Sequence, residues 1–446
     1  MTRLRGRIVL KKKILELIRD SLKVLLIIFG ICLAYKLNLF SIILCMSAGV
    51  AFNYFYQKQE AKRKRLFERF KDAVMYMEQM IYSFKKQPKI RPALQDAQKI
   101  GSSDIKELLE EVIVNIDTNE SDNIYEEALS LVEKEYKCKR IRSLHKFLIK
   151  IEEHGGEYDD YIDILLQDIK DWNDRTLLFI KNVERVKRNV LISVFSTVIT
   201  CGFMAYIVPS EYSYTPNLVY QIASTIMLLL MMGSYLLIVR RMNLDWLRED
   251  QSLNNNQIMR YYNLVEKGYE DYDSLSWGEK LSYKSAKRRM EKELSKCFPD
   301  WIREVAINLQ NDTVQSAIEN SYENSPFILQ RPIRKLLLDF EKYPVGIEPY
   351  DNLLKEFDLD EIKSSMKMFY SINELGKEQS DQQINSILDR NNKLAGHAEE
   401  MKNQDQIGAA SMLATVPMVV GIVKIMIDMV LMIMVFTTSI GNSINV

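Results

Sequence analysis

The sequence predicts an all-α fold: a polytopic membrane protein with two cytosolic helical-bundle domains and about five transmembrane helices. Three observations carry this. Only 16 Gly and 10 Pro occur in 446 residues, while Leu, Ile, Met, Lys and Glu are plentiful, a balance that favours helices over sandwiches or doubly wound sheets. Apolar stretches long enough to cross a bilayer recur along the chain and are flanked by basic residues. The polar segments between them repeat apolar residues at helical spacing.

Residues 1–56 form a basic N-terminus and a transmembrane hairpin. Arg3, Arg5, Arg7, Lys11, Lys12, Lys13, Arg19 and Lys23 stand there against only Glu16 and Asp20, a charge balance that suits an anionic cytoplasmic leaflet. The apolar run from 22 to 56 is broken at Lys36-Leu37-Asn38, and a second span follows the first at once. That order favours an uncleaved hairpin over a secretory signal peptide.

Residues 57–188 form the first cytosolic helical domain. After the basic cluster Lys58, Lys62, Arg63, Lys64 and Arg65, the residues Leu66, Phe67, Phe70, Val74, Met77, Ile81 and Phe84 share one helical face. Turns follow at Gln87-Pro88 and Arg91-Pro92. The domain closes on the stretch that organises the chain, Lys150 to Leu166. A helix ends there at Gly155-Gly156, where glycine supplies the positive φ that a C-terminal cap requires. Asp159 and Asp160 offer acceptors to the first amides of the next helix. That helix passes Trp172, Phe179 and Val183, reaches the basic collar Arg185-Val186-Lys187-Arg188, and becomes apolar from Asn189. No Gly or Pro interrupts it between Gly156 and Gly202, so a cytosolic helix is expected to run straight into the membrane.

A second transmembrane hairpin occupies 189–240. Its loop, 209–216, has no Lys or Arg, whereas Lys181 to Arg188 and Arg240-Arg241 flank it. The bias places the loop outside and the N-terminus and both soluble segments in the cytoplasm. A charged connector (241–295), a second cytosolic helical domain (296–407), and a last span with a short external tail (408–446) complete the chain.

The chain also repeats itself. Ile151, Glu153, Gly155 and Glu157 align with Ile372, Glu374, Gly376 and Glu378. After one added residue, Ile162, Leu165 and Leu166 meet Ile384, Ile387 and Leu388, and the membrane entry at Asn189 falls beside Ala410. Upstream, Phe67, Phe70 and Val74 match Phe298, Trp301 and Val305. The shared order points to internal duplication.

Candidate sites are few. Glu152, Glu153, Glu157, Asp159 and Asp160 beside His154 have the chemistry of a hard-cation site, but read more simply as solvated acids around a capped turn. The three histidines, His145, His154 and His397, are isolated and read as surface or boundary residues. The five cysteines show neither metal spacing nor a disulfide framework. No phosphate-binding loop or dinucleotide fingerprint occurs, so nucleotide chemistry is expected to come from another protein. No catalytic, metal or cofactor residue is expected, and no nucleic-acid module is present. Lys424 and Asp428, four apart on one face of the last span, are expected to pair within the membrane. A proton or ion pathway through them is the sharper alternative, which would make the chain a transporter; a stand-alone membrane signalling scaffold is a third reading.

The arrangement of helical domain, Glu/Gly element, long helix, basic collar and span resembles the F-family platform proteins of type II secretion and type IV pilus machines, the Tad-type and archaeal-flagellum branches above all. The family's G-E-x-x-G-x-L-x-x-x-L-like element is approximated by Glu153-His154-Gly155-Gly156-Glu157 ahead of Ile162, Leu165 and Leu166. In the second copy only Gly376 remains of the glycines. The resemblance implies a cytoplasmic-membrane homo-oligomer that contacts a hexameric assembly ATPase, pilin subunits and other machine proteins in the bilayer, with Glu153, Gly155, Gly156, Glu157, Glu374 and Gly376 as coupling elements. It implies a scaffold rather than an enzyme.

Overall fold

The computed structural model describes residues 19, 21–119, 123–155, 159–243, 253–273, 275–309, 312–374 and 377–444. Among them every regular element is helical. The chain packs as two units: Met1–Phe67, Leu177–Asp245 and Asn403–Val446 form one, and Glu68–Thr176 and Trp246–Lys402 form the other.

The first unit is apolar. It holds α1 (Ser21–Ala34), the beginning of α2 (Leu39–Lys86), the end of α7 (Asp159–Ile207), α8 (Leu218–Arg241) and α16 (Val416–Ile444). Among the described residues four helices are long and apolar enough to cross a membrane, with mean hydropathy from 1.6 to 2.5 in their most apolar windows. The fifth expected span, α1, has 14 described helical residues, short of the roughly 20 a bilayer core requires. The chain leaves the helix there because Lys36 turns into the left-handed region (φ 49°). This is the break expected at Lys36-Leu37-Asn38. Asn38 then caps α2, its side-chain oxygen accepting from the Ser41 amide at 2.9 Å. Gln221 of α8 satisfies the rest of the turn, donating to Lys36 O (3.1 Å) and accepting from Asn38 N (2.8 Å).

Ile28, Cys32, Cys45, Val198, Cys201, Met227 and Met231 make the core of this unit. Side chains on its outside are as apolar as those within: Leu39, Ile199, Leu218 and Met412 stand largely exposed. A contiguous apolar exterior of this kind needs a cover other than water. The loop 209–216 folds back and buries Tyr214 edge-on against Tyr220 at 5.4 Å between ring centroids.

The second unit is polar outside and shows the same order of elements twice. The first copy runs through the end of α2, α3 (Ile90–Ile100), α4 (Ser103–Thr118), α5 (Ile124–Tyr136), α6 (Lys139–His154) and the start of α7. The second runs through α10 (Trp277–Leu309), α11 (Val314–Ser321), α12 (Phe327–Lys342), α13 (Glu348–Asn352), α14 (Asp360–Glu374) and the greater part of α15 (Lys377–Leu413), whose end belongs to the first unit. Phe70 and Val74 are buried, as are their counterparts Trp301 and Val305. The whole apolar face expected on α2 from Phe70 to Phe84 is buried, and α2 ends one residue before Gln87-Pro88.

Two features depart from expectation. The segment read as a charged connector carries α9 (Asn255–Glu270), opened by a reciprocal Asn254/Gln257 cap, and most of α10; Ile258, Tyr262, Val265 and Met290 are buried. The second copy's exit helix is also interrupted. A turn at Ala414-Thr415 separates α15 from α16, because Pro417 has no amide to donate to Leu413 O and its ring crowds that carbonyl, so the helix cannot continue past Leu413. In the first copy α7 runs unbroken from Asp159 through Gly202 to Ile207.

Candidate functional site

The Glu/Gly element lies where α6 gives way to α7. Gly155 closes α6, donating its amide to Ile151 O at 2.9 Å. Its backbone, φ 70° and ψ −156°, lies in a region that essentially only glycine occupies. Gly155 thus has the positive φ expected of it. Gly156 and Glu157 lie outside the described residues, as does Gly376. Glu153 is exposed, and Glu374 ends α14. Asp159 and Asp160 lie inside the first turn of α7 rather than ahead of it.

The residue that anchors this junction is Glu152, read from sequence as a solvated acid. Its carboxylate accepts from the Ile90 amide at 2.7 Å and the Tyr125 hydroxyl at 2.9 Å, and Lys89 sits 3.4 Å away. It thereby serves the free amide that opens α3 and ties three helices together. The signal was present: Glu152 stands one turn beyond the buried Leu148 and so shares its face.

A second site went unforeseen. Asp168 on α7 is 4% exposed and accepts from Arg140 of α6 and Arg303 of α10, each at 3.3 Å. Arg140 also lies over the Trp172 ring at 4.7 Å and reaches Glu399 of α15 at 3.4 Å. Arg175 joins Glu399 at 3.3 Å, while Lys139 and Arg303 meet Asp300 at 2.9 and 3.6 Å. Elements of both copies therefore meet in one network of four cations and three carboxylates. Burial alone would raise the Asp168 carboxyl, but Arg140, Arg303 and Arg175 together hold it below the ordinary carboxylate value.

His145 corrects the reading of the histidines. It is buried at 1% exposure, with Nε2 2.8 Å from the Tyr76 hydroxyl and Nδ1 3.0 Å from Glu133. Burial lowers its pKa, and Glu133 offsets this in part. A neutral ring that donates from Nδ1 to Glu133 and accepts from Tyr76 satisfies every partner. His397, by contrast, is exposed.

Lys424 and Asp428 pair as expected, fully inside the apolar unit at 2% and 1% exposure. The Lys424 ammonium also lies 4.1 Å from the centre of the Tyr220 ring. Among the described residues one Asp428 oxygen, Oδ2, has no hydrogen-bond partner, nor has the buried Tyr214 hydroxyl. Close approach of α16 to α7 depends on Gly421: a Cβ there would meet Thr197 Cγ2 at 2.2 Å, and Cys201 Sγ lies 3.6 Å from Gly421 O. Among the described residues no group of three His, Cys, Asp or Glu is placed to hold a metal ion.

Comparison of the chain with family models, with curated proteins and with solved structures finds no match.

Proposed function

We propose that this chain is a membrane-embedded assembly platform of the kind found in Tad-like type IV pilus or type II secretion machines. In this reading it crosses the cytoplasmic membrane five times, with α1 as the first span and its polar regions in the cytoplasm. It acts as a homo-oligomer that couples a hexameric cytosolic ATPase to pilin subunits in the bilayer. ATP hydrolysis belongs to the partner; this chain supplies the mechanical link.

The observation that supports the reading most is α7, a single uninterrupted helix of 49 residues. Its first part, up to Thr176, belongs to the polar unit and the rest to the apolar unit. A helix is stiff over this length, so a displacement applied to its polar end is carried along its axis. The Asp168 network grips that polar end, which makes it the point through which a partner's force would enter.

A pull-down of the tagged chain from detergent-solubilised native membranes, read by mass spectrometry, tests this. Recovery of a secretion-type ATPase with a pilin supports the platform. Recovery of the chain alone after mild crosslinking counts against it.

The buried Lys424–Asp428 pair favours a second reading, a transporter, because charged side chains at that depth often mark an ion path. Ion-flux measurements on the chain in vesicles, with and without the pair, separate the two.

A further inference from the structure

Lys187, on the basic collar of α7, has its ammonium nitrogen buried and, among the described residues, without a hydrogen-bond partner. An ammonium withdrawn from water carries a large penalty unless an acceptor replaces its hydration. The acids nearby are committed elsewhere: Arg63 of α2 takes Glu184 at 3.0 Å and Glu60 at 3.2 Å. Those three groups, one cation and two anions, are the charges that act on Lys187.

The position of this nook is set by its neighbours in the apolar unit. Tyr56 of α2 and Tyr235 of α8 lie against each other at 6.1 Å between ring centroids, and Phe52 packs on both at 6.2 Å. Asn243 just past α8 is tied to Gln59 of α2 by bonds of 2.9 and 3.0 Å, holding the two helix ends together. Two residues beyond Lys187 the apolar run of α7 begins, and the apolar run of α8 ends at Arg240 and Arg241, both exposed. Amphipathic rings beside basic residues, at the end of apolar helices, mark headgroup depth. Exposed Lys64, Lys181, Arg185 and Arg188 add positive charge to the same collar.

We infer that Lys187, backed by Arg63, holds the phosphate of an acidic phospholipid at the cytosolic edge of the apolar unit. A phosphodiester brings the acceptor oxygens that Lys187 lacks, its acyl chains cover the exposed apolar sides of the helices, and the collar favours a headgroup with net negative charge. The site rests on the membrane reading above and is independent of the platform role.

The test extracts the full chain from membranes and exchanges it into nanodiscs of equal phosphatidylglycerol and phosphatidylcholine with matched acyl chains. The lipid retained after transfer to detergent is then counted by native mass spectrometry. One basic group at the surface corresponds to about a fivefold preference for the anionic lipid. The wild type and Lys187→Arg keep that preference, Lys187→Gln loses about fivefold of it, and Lys106→Gln, exposed on α4 in the polar unit, stays at the wild-type ratio. A Lys187→Gln protein that retains the wild-type ratio overturns the site. So does inorganic phosphate that erases the preference at millimolar concentration, since it would show a free-anion pocket. A chain found in the soluble fraction removes the membrane reading itself, whereas a membrane-extracted chain with no lipid preference removes only this proposal.

Discussion

The carboxylate of Asp168 on α7 and the guanidinium of Arg303 on α10 lie 3.3 Å apart, both almost fully buried, and so join the two halves of the repeat. Removing one partner from such a pair strands the other charge away from water. Asp168→Ala is expected to destabilise the polar unit by about 3–5 kcal/mol. Asp168→Asn keeps the volume but loses the charge that balances Arg140, Arg175 and Arg303, and is expected to fall only slightly short of that. Thermal unfolding of the detergent-solubilised chain reads both. A loss under about 1 kcal/mol would mean that the network is solvated rather than buried.

The same carboxylate gives an acid limit. Its pKa is depressed in the fold, so the unfolded chain binds a proton that the native one refuses. The stability it contributes is complete above the ordinary carboxylate value near 3.9 and is lost as the pH falls below it. His145 acts at higher pH with the same sign. Its native pKa lies below the ordinary histidine value of about 6.5, so stability holds above that pH and declines below it as the unfolded imidazole takes up a proton. In His145→Gln the slope between about pH 7 and 5.5 is expected to flatten. Denaturation midpoints measured across that range decide the point, and an unchanged slope would show that other groups carry it.

Much of this architecture follows from periodicity, and what does not is long-range pairing. The buried face of α2, the turn at Lys36, the glycine that ends α6 and the unbroken course of α7 depend on residues within a few positions of one another. Glu152 meets Ile90 across 62 residues, Tyr76 meets His145 across 69, and Asp168 meets Arg303 across 135. No helical period encodes those distances, so acids and histidines that sit on interior faces read as surface groups. α9 escaped for a different reason. Asn254-Asn255-Asn256 resembles a linker, yet Asn254 with Gln257 forms a capping box that starts a helix. The break before α16 was legible in Pro417, but the apolar run around it obscured the signal.

At the α6–α7 junction two substitutions separate backbone from side chain. Gly155→Ala is expected to cost about 1–3 kcal/mol, because ψ near −156° at positive φ excludes any Cβ. Gly155→Asn should be no better, since asparagine tolerates the left-handed helical region and this residue is not in it. Glu152→Ala removes an acceptor from Ile90 and Tyr125 and is expected to cost about 1–2 kcal/mol. Amide hydrogen exchange locates that effect at the start of α3. If protection there is unchanged, Glu152 does not anchor the helix.

In the apolar unit the Lys424–Asp428 pair distinguishes structure from chemistry. Lys424→Met alone leaves a buried carboxylate whose Oδ2 already lacks a partner, and Asp428→Leu alone leaves an ammonium supported only by the Tyr220 ring. Each single change is expected to cost about 3 kcal/mol. The double change, Lys424→Met with Asp428→Leu, replaces both charges by apolar groups of similar size and should recover most of that loss. Thermal unfolding in detergent gives the coupling energy directly. A double variant that is stable and still assembles its complex shows that the pair only fastens α16 in place. A double variant that is equally stable but inactive shows that the charges themselves do work, and then the ion-path reading gains over the platform.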